Sequence, residues 1–85
     1  MKFALISFKS KNELLLFSKI LKANNIAHNI TNTPRSISIS CGLSIKLDYH
    51  QLQHISPFIN SKRNSIMGVY MVERNNFNER IQKII

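Results

Sequence analysis

Two segments, Lys2 to Phe8 and Ile66 to Glu73, are apolar on both faces, and this constrains the fold more than any other feature of the chain. Side chains alternate along a strand. Phe3 and Leu5 therefore oppose Ala4, Ile6 and Phe8 in the first segment, and Met67, Val69 and Met71 oppose Ile66, Tyr70 and Val72 in the second. The first reads as a central strand, and surface of this kind must be covered by the chain's own elements or by another subunit. At 85 residues the chain is one domain. Domains of this size bury only about 60–65% of their unfolded surface, so the core is small and an oligomer would help it.

The stretches between these segments alternate in period. Ser10-Lys11-Asn12-Glu13 has the form of a capping box, which starts a helix near Lys11. Leu14, Phe17 and Leu21 recur at helical spacing, widened by Leu16 and Ile20, while Lys11, Ser18, Lys19 and Lys22 take the more polar positions. Asn24-Asn25 supplies a left-handed stop. Ile26, His28 and Ile30 then alternate as a strand ending at Thr33-Pro34, and Leu43, Ile45, Leu47 and Tyr49 alternate as another. A second helix is expected from about His50 to Ser61, capped by Asp48 and burying Leu52, Ile55 and Ile59. Pro57 inside it should kink it or divide it, with Ser56 as a new cap. Phe77, Ile81 and Ile84 fall on one side of a helical tail.

This order predicts an α+β fold, a ferredoxin-like βαββαβ sandwich with a four-stranded antiparallel sheet, two helices on one face and a short C-terminal helix. The domain is expected to span residues 1–74, with a helical tail over 75–85. Because the two main helices cover only one sheet face, the other is expected to pack against a second copy in a homodimer.

The formal charge of +8 invites a nucleic-acid reading. Its distribution argues otherwise, since the cations are dispersed and only Lys62-Arg63 are adjacent. A field of this sign still attracts anions, including small oxyanions and acidic proteins. Gly68-Val69-Tyr70 lacks the basic residue and aromatic spacing of an RNA-recognition strand. No apolar run approaches the ~18 residues of a membrane span. The opening Lys2-Phe3-Ala4-Leu5-Ile6-Ser7-Phe8-Lys9 has too short an apolar run for a signal sequence, and the expected location is cytoplasmic, where a single thiol stays reduced.

That thiol is Cys41, the chain's one cysteine, which has no intramolecular disulfide partner. If Ser36 to Tyr49 is one strand, Cys41 is a small core residue beside Ile39 and Leu43. If Pro34 opens a turn and Gly42 breaks the strand, a serine-rich loop presents it beside Arg35. An ordinary thiol is only about 3% ionised near neutral pH, and the thiolate is the reactive form. Arg35, the backbone N–H groups around Ser40, Cys41 and Gly42, and the hydroxyls of Ser38 and Ser40 are donors able to hold a thiolate or a persulfide anion. No base positioned by a third group supports acyl transfer. His50 and His54 have the spacing of helical metal ligands, but both fall opposite Leu52 and Ile59 and should face solvent, so no metal or other cofactor is expected. His28 reads as a hydrogen-bonded packing residue.

From its first strand to about Val72 the chain resembles the small bacterial selenium/sulfur carrier protein-like domains. In that family a Thr-Pro-Arg segment leads to a serine-containing Cys-Gly pair, matched here by Thr33, Pro34, Arg35, Ser38, Ser40, Cys41 and Gly42. Ile39 and Pro57 depart from the pattern. The resemblance implies a carrier that holds sulfur or selenium on Cys41 between a donor enzyme and an acceptor protein, with no turnover of its own. The alternative is a non-catalytic basic interaction module that binds nucleic acid or an acidic protein, with Cys41 purely structural.

Overall fold

The structure is a computed structural model that describes residues 2–33 and 42–84. Five strands and two helices follow in the order β1 (Lys2–Phe8), α1 (Lys11–Ala23), β2 (Asn29–Asn32), β3 (Leu43–Asp48), α2 (Leu52–Ser61), β4 (Ile66–Arg74) and β5 (Glu79–Lys83). The strands form one antiparallel sheet ordered β2-β3-β1-β4-β5. The fold is therefore α+β with two helices, as expected, but the sheet has five strands where four were expected.

β1 is buried on both faces because it lies mid-sheet. Ala4, Ile6 and Phe8 join Ile45 and Leu47 of β3, Val69 of β4 and the buried stripes of both helices, Leu14, Phe17 and Leu21 with Ile55 and Ile59. The rings of Phe8 and Phe17 meet at 5.2 Å, within the range of favourable aromatic pairs. On the opposite face Phe3, Leu5 and Val72 form a second buried cluster with Tyr70 and Ile81 against it.

The ends of α1 follow their sequence signals. The Ser10 side chain accepts from the Glu13 N–H at 3.3 Å. At the other end Asn25 adopts a left-handed φ of 58°. The Asn25 N–H donates to the Lys22 carbonyl and the Ile26 N–H to the Leu21 carbonyl, the two bonds of a Schellman stop. Ile26 and Leu21 then meet in the core. The following strand starts later than its alternation suggests, at Asn29, because His28 is drawn into a bond with α1 described below.

Asp48 caps the next turn through the His50 N–H at 2.9 Å. That turn is a 3₁₀ segment over Tyr49–Gln51, and α2 begins after it. Pro57 neither ends nor divides α2, which runs on to Ser61 with Pro57 on its exposed side.

The C-terminal helix is corrected to a strand. Asn75 donates to the Asn78 carbonyl at 2.8 Å, and asparagines favour such turns, so the chain reverses and β5 pairs with β4, Val72 opposite Ile81. An isolated helix of the tail's length is marginal in water, whereas β4 offers a ready edge. Arg74 clamps the hairpin through Glu79 at 2.5 Å. The exposed sides of Phe77 and Ile81 differ accordingly, Phe77 being 95% exposed at the turn. The second sheet face, on which the expectation of a homodimer rested, thus has Phe3, Leu5 and Val72 buried within the chain and Tyr70 and Ile81 partly buried. Lys46 stands 4.3 Å and Arg74 5.7 Å from the centre of the Phe3 ring, contacts that screen an aromatic ring from water.

In urea denaturation Phe17→Ala should lower stability by about 3–5 kcal/mol, while Phe77→Ala should stay within about 0.5 kcal/mol. Ile81→Ala should fall between them. A loss at Phe77 as large as at Phe17 would contradict the hairpin.

Candidate functional site

The segment that carries most of the predicted site is anchored at both ends by the β2–β3 pair. The Thr33 N–H donates to the Gly42 carbonyl at 3.1 Å, one step beyond the last ladder pair, Asn32 opposite Leu43. Pro34, Arg35, Ser38, Ser40 and Cys41 lie outside the described residues. Thr33 and Gly42 are described, and the structure brings these two together. β3 begins at Leu43, after Gly42.

Thr33 is buried, and its Oγ1 lies 2.5 Å from Oγ of Ser44, itself fully buried. Ser44 is paired across the ladder with Ser7 of β1, and Ser7 with Gly68 of β4. The Ser7 Oγ is buried and has no hydrogen-bond partner among the described residues. A row of hydroxyls thus crosses the sheet from the anchor of the 34–41 segment to β1. Small residues make the row possible, and the Tyr70 ring occupies the space beside Gly68, where an added Cβ would approach it to 2.9 Å. Gly42 differs. It is not among the positive-φ residues, and among the described residues nothing lies within 4 Å of a built Cβ, so the described surroundings do not require glycine there.

On the helix side, Gly42 and Leu43 border a cavity of about 390 Å³ whose other walls are Phe8, Lys9, Ser10, Lys11, Leu14 and Met67. The β1–β3 register explains this neighbourhood. It runs to Ser7 opposite Ser44, so the turn from β1 into α1 lies beside the start of β3. The walls combine two lysines with the N-terminal end of a 13-residue helix, where unpaired N–H groups and the helix dipole favour negative charge. Glu13, in the first turn, is the acidic group nearest this end in sequence. Lys9, Lys11, Ser7 and Ser44 were not singled out by the sequence reading. The serine cap was legible, but its proximity to Gly42 depends on a register that pairs residues far apart in the chain.

The histidines divide as expected. His28 Nδ1 donates to the Ile26 carbonyl at 2.9 Å, and in that tautomer the Ser18 hydroxyl donates to Nε2 at 2.6 Å. This half-buried ring is a strut between α1 and the chain entering β2. His50 and His54 are exposed. Among the described residues no three His, Cys, Asp or Glu side chains cluster as metal ligands, and no helix is long and apolar enough to cross a membrane.

Residues 3–71 match the model of the family described as Putative Se/S carrier protein-like. The chain belongs to this family. The match takes in β1 through most of β4, the Thr33–Gly42 anchor and the 34–41 segment, and ends before β5. No curated protein and no solved structure matches this Se/S carrier-like chain.

Two substitutions test the anchor. Thr33→Val and Ser44→Ala should each cost about 1–3 kcal/mol in chemical denaturation, because each strands a buried hydroxyl. The double variant should cost less than their sum, giving a coupling of at least about 0.5 kcal/mol. Gly42→Ala should leave stability unchanged or raise it by up to about 1 kcal/mol.

Proposed function

We propose that the chain carries sulfur or selenium on Cys41 as a persulfide-type adduct, delivered by a donor enzyme and passed to an acceptor protein. The observation that carries this reading is the position of Gly42. The residue bonded to Cys41 lines a cavity walled by Lys9, Lys11 and the α1 N-terminus, in a chain whose family description is that of a carrier. Positive charge and oriented N–H groups stabilise a sulfur anion over its protonated form. Arg35, Ser38 and Ser40 add donors on the segment itself, which Pro34 opens in sequence, with Thr33 holding its first end and Gly42 its second.

In the sulfur-loading step the Cys41 thiolate attacks the outer sulfur of a persulfide on the donor. A sulfur–sulfur bond forms at Cys41, the donor's own sulfur–sulfur bond breaks, and the donor leaves as a thiolate, with no net oxidation. Attack by an acceptor thiolate on the carried sulfur reverses the sequence and frees Cys41. The chain turns nothing over by itself. The reducing cytoplasm suits it, because a lone thiol there is not lost to disulfides. The order β2-β3-β1-β4, with α1 and α2 as the connections, supports reading the family-matched part as a ferredoxin-like unit to which β5 is added.

Incubation with a cysteine desulfurase and labelled cysteine should add the mass of one sulfur atom to the intact protein, and Cys41→Ser should abolish the gain. Lys9→Glu/Lys11→Glu should move the pH of half-maximal Cys41 alkylation upward, since it removes charge that favours the thiolate. Absence of any adduct with an active donor would sink the carrier reading. An unmoved alkylation profile would remove the cavity from it.

A further inference from the structure

The first edge of the sheet and one side of α1 form a surface that the proposed carrier chemistry does not use. Leu15, Leu16 and Ile30 are 41%, 56% and 44% exposed. With Asn12, Lys19 and Lys22 they line a groove of about 520 Å³ between the helix and β2. Leu15, Lys19 and Lys22 recur at i, i+4 and i+7, which puts them in one stripe along α1. Ile30 sits on the edge strand, with its neighbour β3 on one side only.

The sheet's two edges are unlike. β5 carries Glu79, Arg80 and Lys83 along its five residues, and charges on an edge discourage pairing with another chain. β2 reads Asn29-Ile30-Thr31-Asn32, with no charge and no proline. Among the described residues no strand lies beside its outer backbone groups. An uncharged edge next to an exposed apolar stripe fits an added strand, whose main chain supplies hydrogen bonds while alternate side chains enter the groove.

We propose that β2 and α1 form a docking site for an extended, acidic and apolar segment of a partner protein, added to the sheet as a sixth strand. Charge selects this occupant. The groove walls contain two lysines and no acidic residue, so apolar side chains would pack on Leu15, Leu16 and Ile30 while carboxylates face Lys19 and Lys22. A second copy of the chain meets the opposite electrostatics, bringing the same lysines and a net charge of +8 against themselves. The inference does not rest on Cys41, and Cys41→Ser should leave docking intact.

The probe is a fluorescently labelled peptide of about six residues, the usual strand length, with valine and glutamate in turn at the alternate positions that face the groove and threonine at the positions between them. Its anisotropy should rise on binding to the full chain. Lys19→Glu/Lys22→Glu should weaken binding about tenfold or more, and Ile30→Asp by a comparable factor. Arg80→Glu/Lys83→Glu, an equal charge change on the other edge, should alter it less than about twofold. In ¹H–¹⁵N spectra the amides of Asn29 to Asn32 should shift on titration, a readout that does not require any variant to fold. No binding, equal loss in both charge variants, or amide shifts scattered away from β2 would overturn the proposal. A mass by light scattering that doubles with concentration and returns to one chain in Ile30→Asp would assign the surface to a second copy and overturn it equally.

Discussion

The burial of β1 on both faces is the constraint on which the other elements depend. It is bonded to β3 on one side and β4 on the other, and its side chains feed two separate clusters, Ala4, Ile6 and Phe8 toward the helices and Phe3 and Leu5 away from them. A slip of one residue would exchange these sets. It would turn the Ser7 hydroxyl into the helix-side core and drive Phe8 to the face where Ser7 now sits between the small residues Ser44 and Gly68. The register is therefore held by size and polarity together. Once held, it determines that the end of β1, the cap of α1 and the start of β3 lie side by side, which is how Gly42 comes to border the cavity.

The positive charge acts locally in a way that its total does not indicate. Lys46 and Arg74 lie over the Phe3 ring, and their alkyl stems help close a sheet face that has no helix on it. Lys9 and Lys11 stand at the start of α1 and share a cavity with Gly42, while Lys19 and Lys22 flank an apolar stripe. The same residue type lies over a ring at Lys46, and in the two proposals it favours an anion or selects an acidic partner according to its neighbours. Dispersed cations in a sequence are thus compatible with several separate local tasks, and this dispersion is why a continuous nucleic-acid track was not read from the chain.

Local signals were legible wherever a few adjacent residues decide the backbone. Ser10, Asn25 and Asp48 each act within four residues of themselves, and each does what its residue type implies. The tail was misread because its apolar spacing, Phe77, Ile81 and Ile84, fits a helix, whereas the available edge of β4 decides for a strand and leaves Phe77 in solvent. Pro57 was expected to kink or divide α2; the helix is not divided, since the core contacts of Ile55 and Ile59 on either side hold it together.

The sequence by itself determined the two-faced strands, the amphipathic helices and their caps, and the motif from Thr33 to Gly42 with its single thiol, because all of these are set by period, by residue type or by neighbours along the chain. The tertiary structure decided what those pieces meet: the hydroxyl row of Ser7, Ser44 and Thr33, the lysines beside Gly42, the fifth strand, and the uncharged edge of β2 beside Leu15 and Leu16. Each of these joins residues far apart in the chain, and such pairings follow from one global choice of strand order and register that no local pattern encodes.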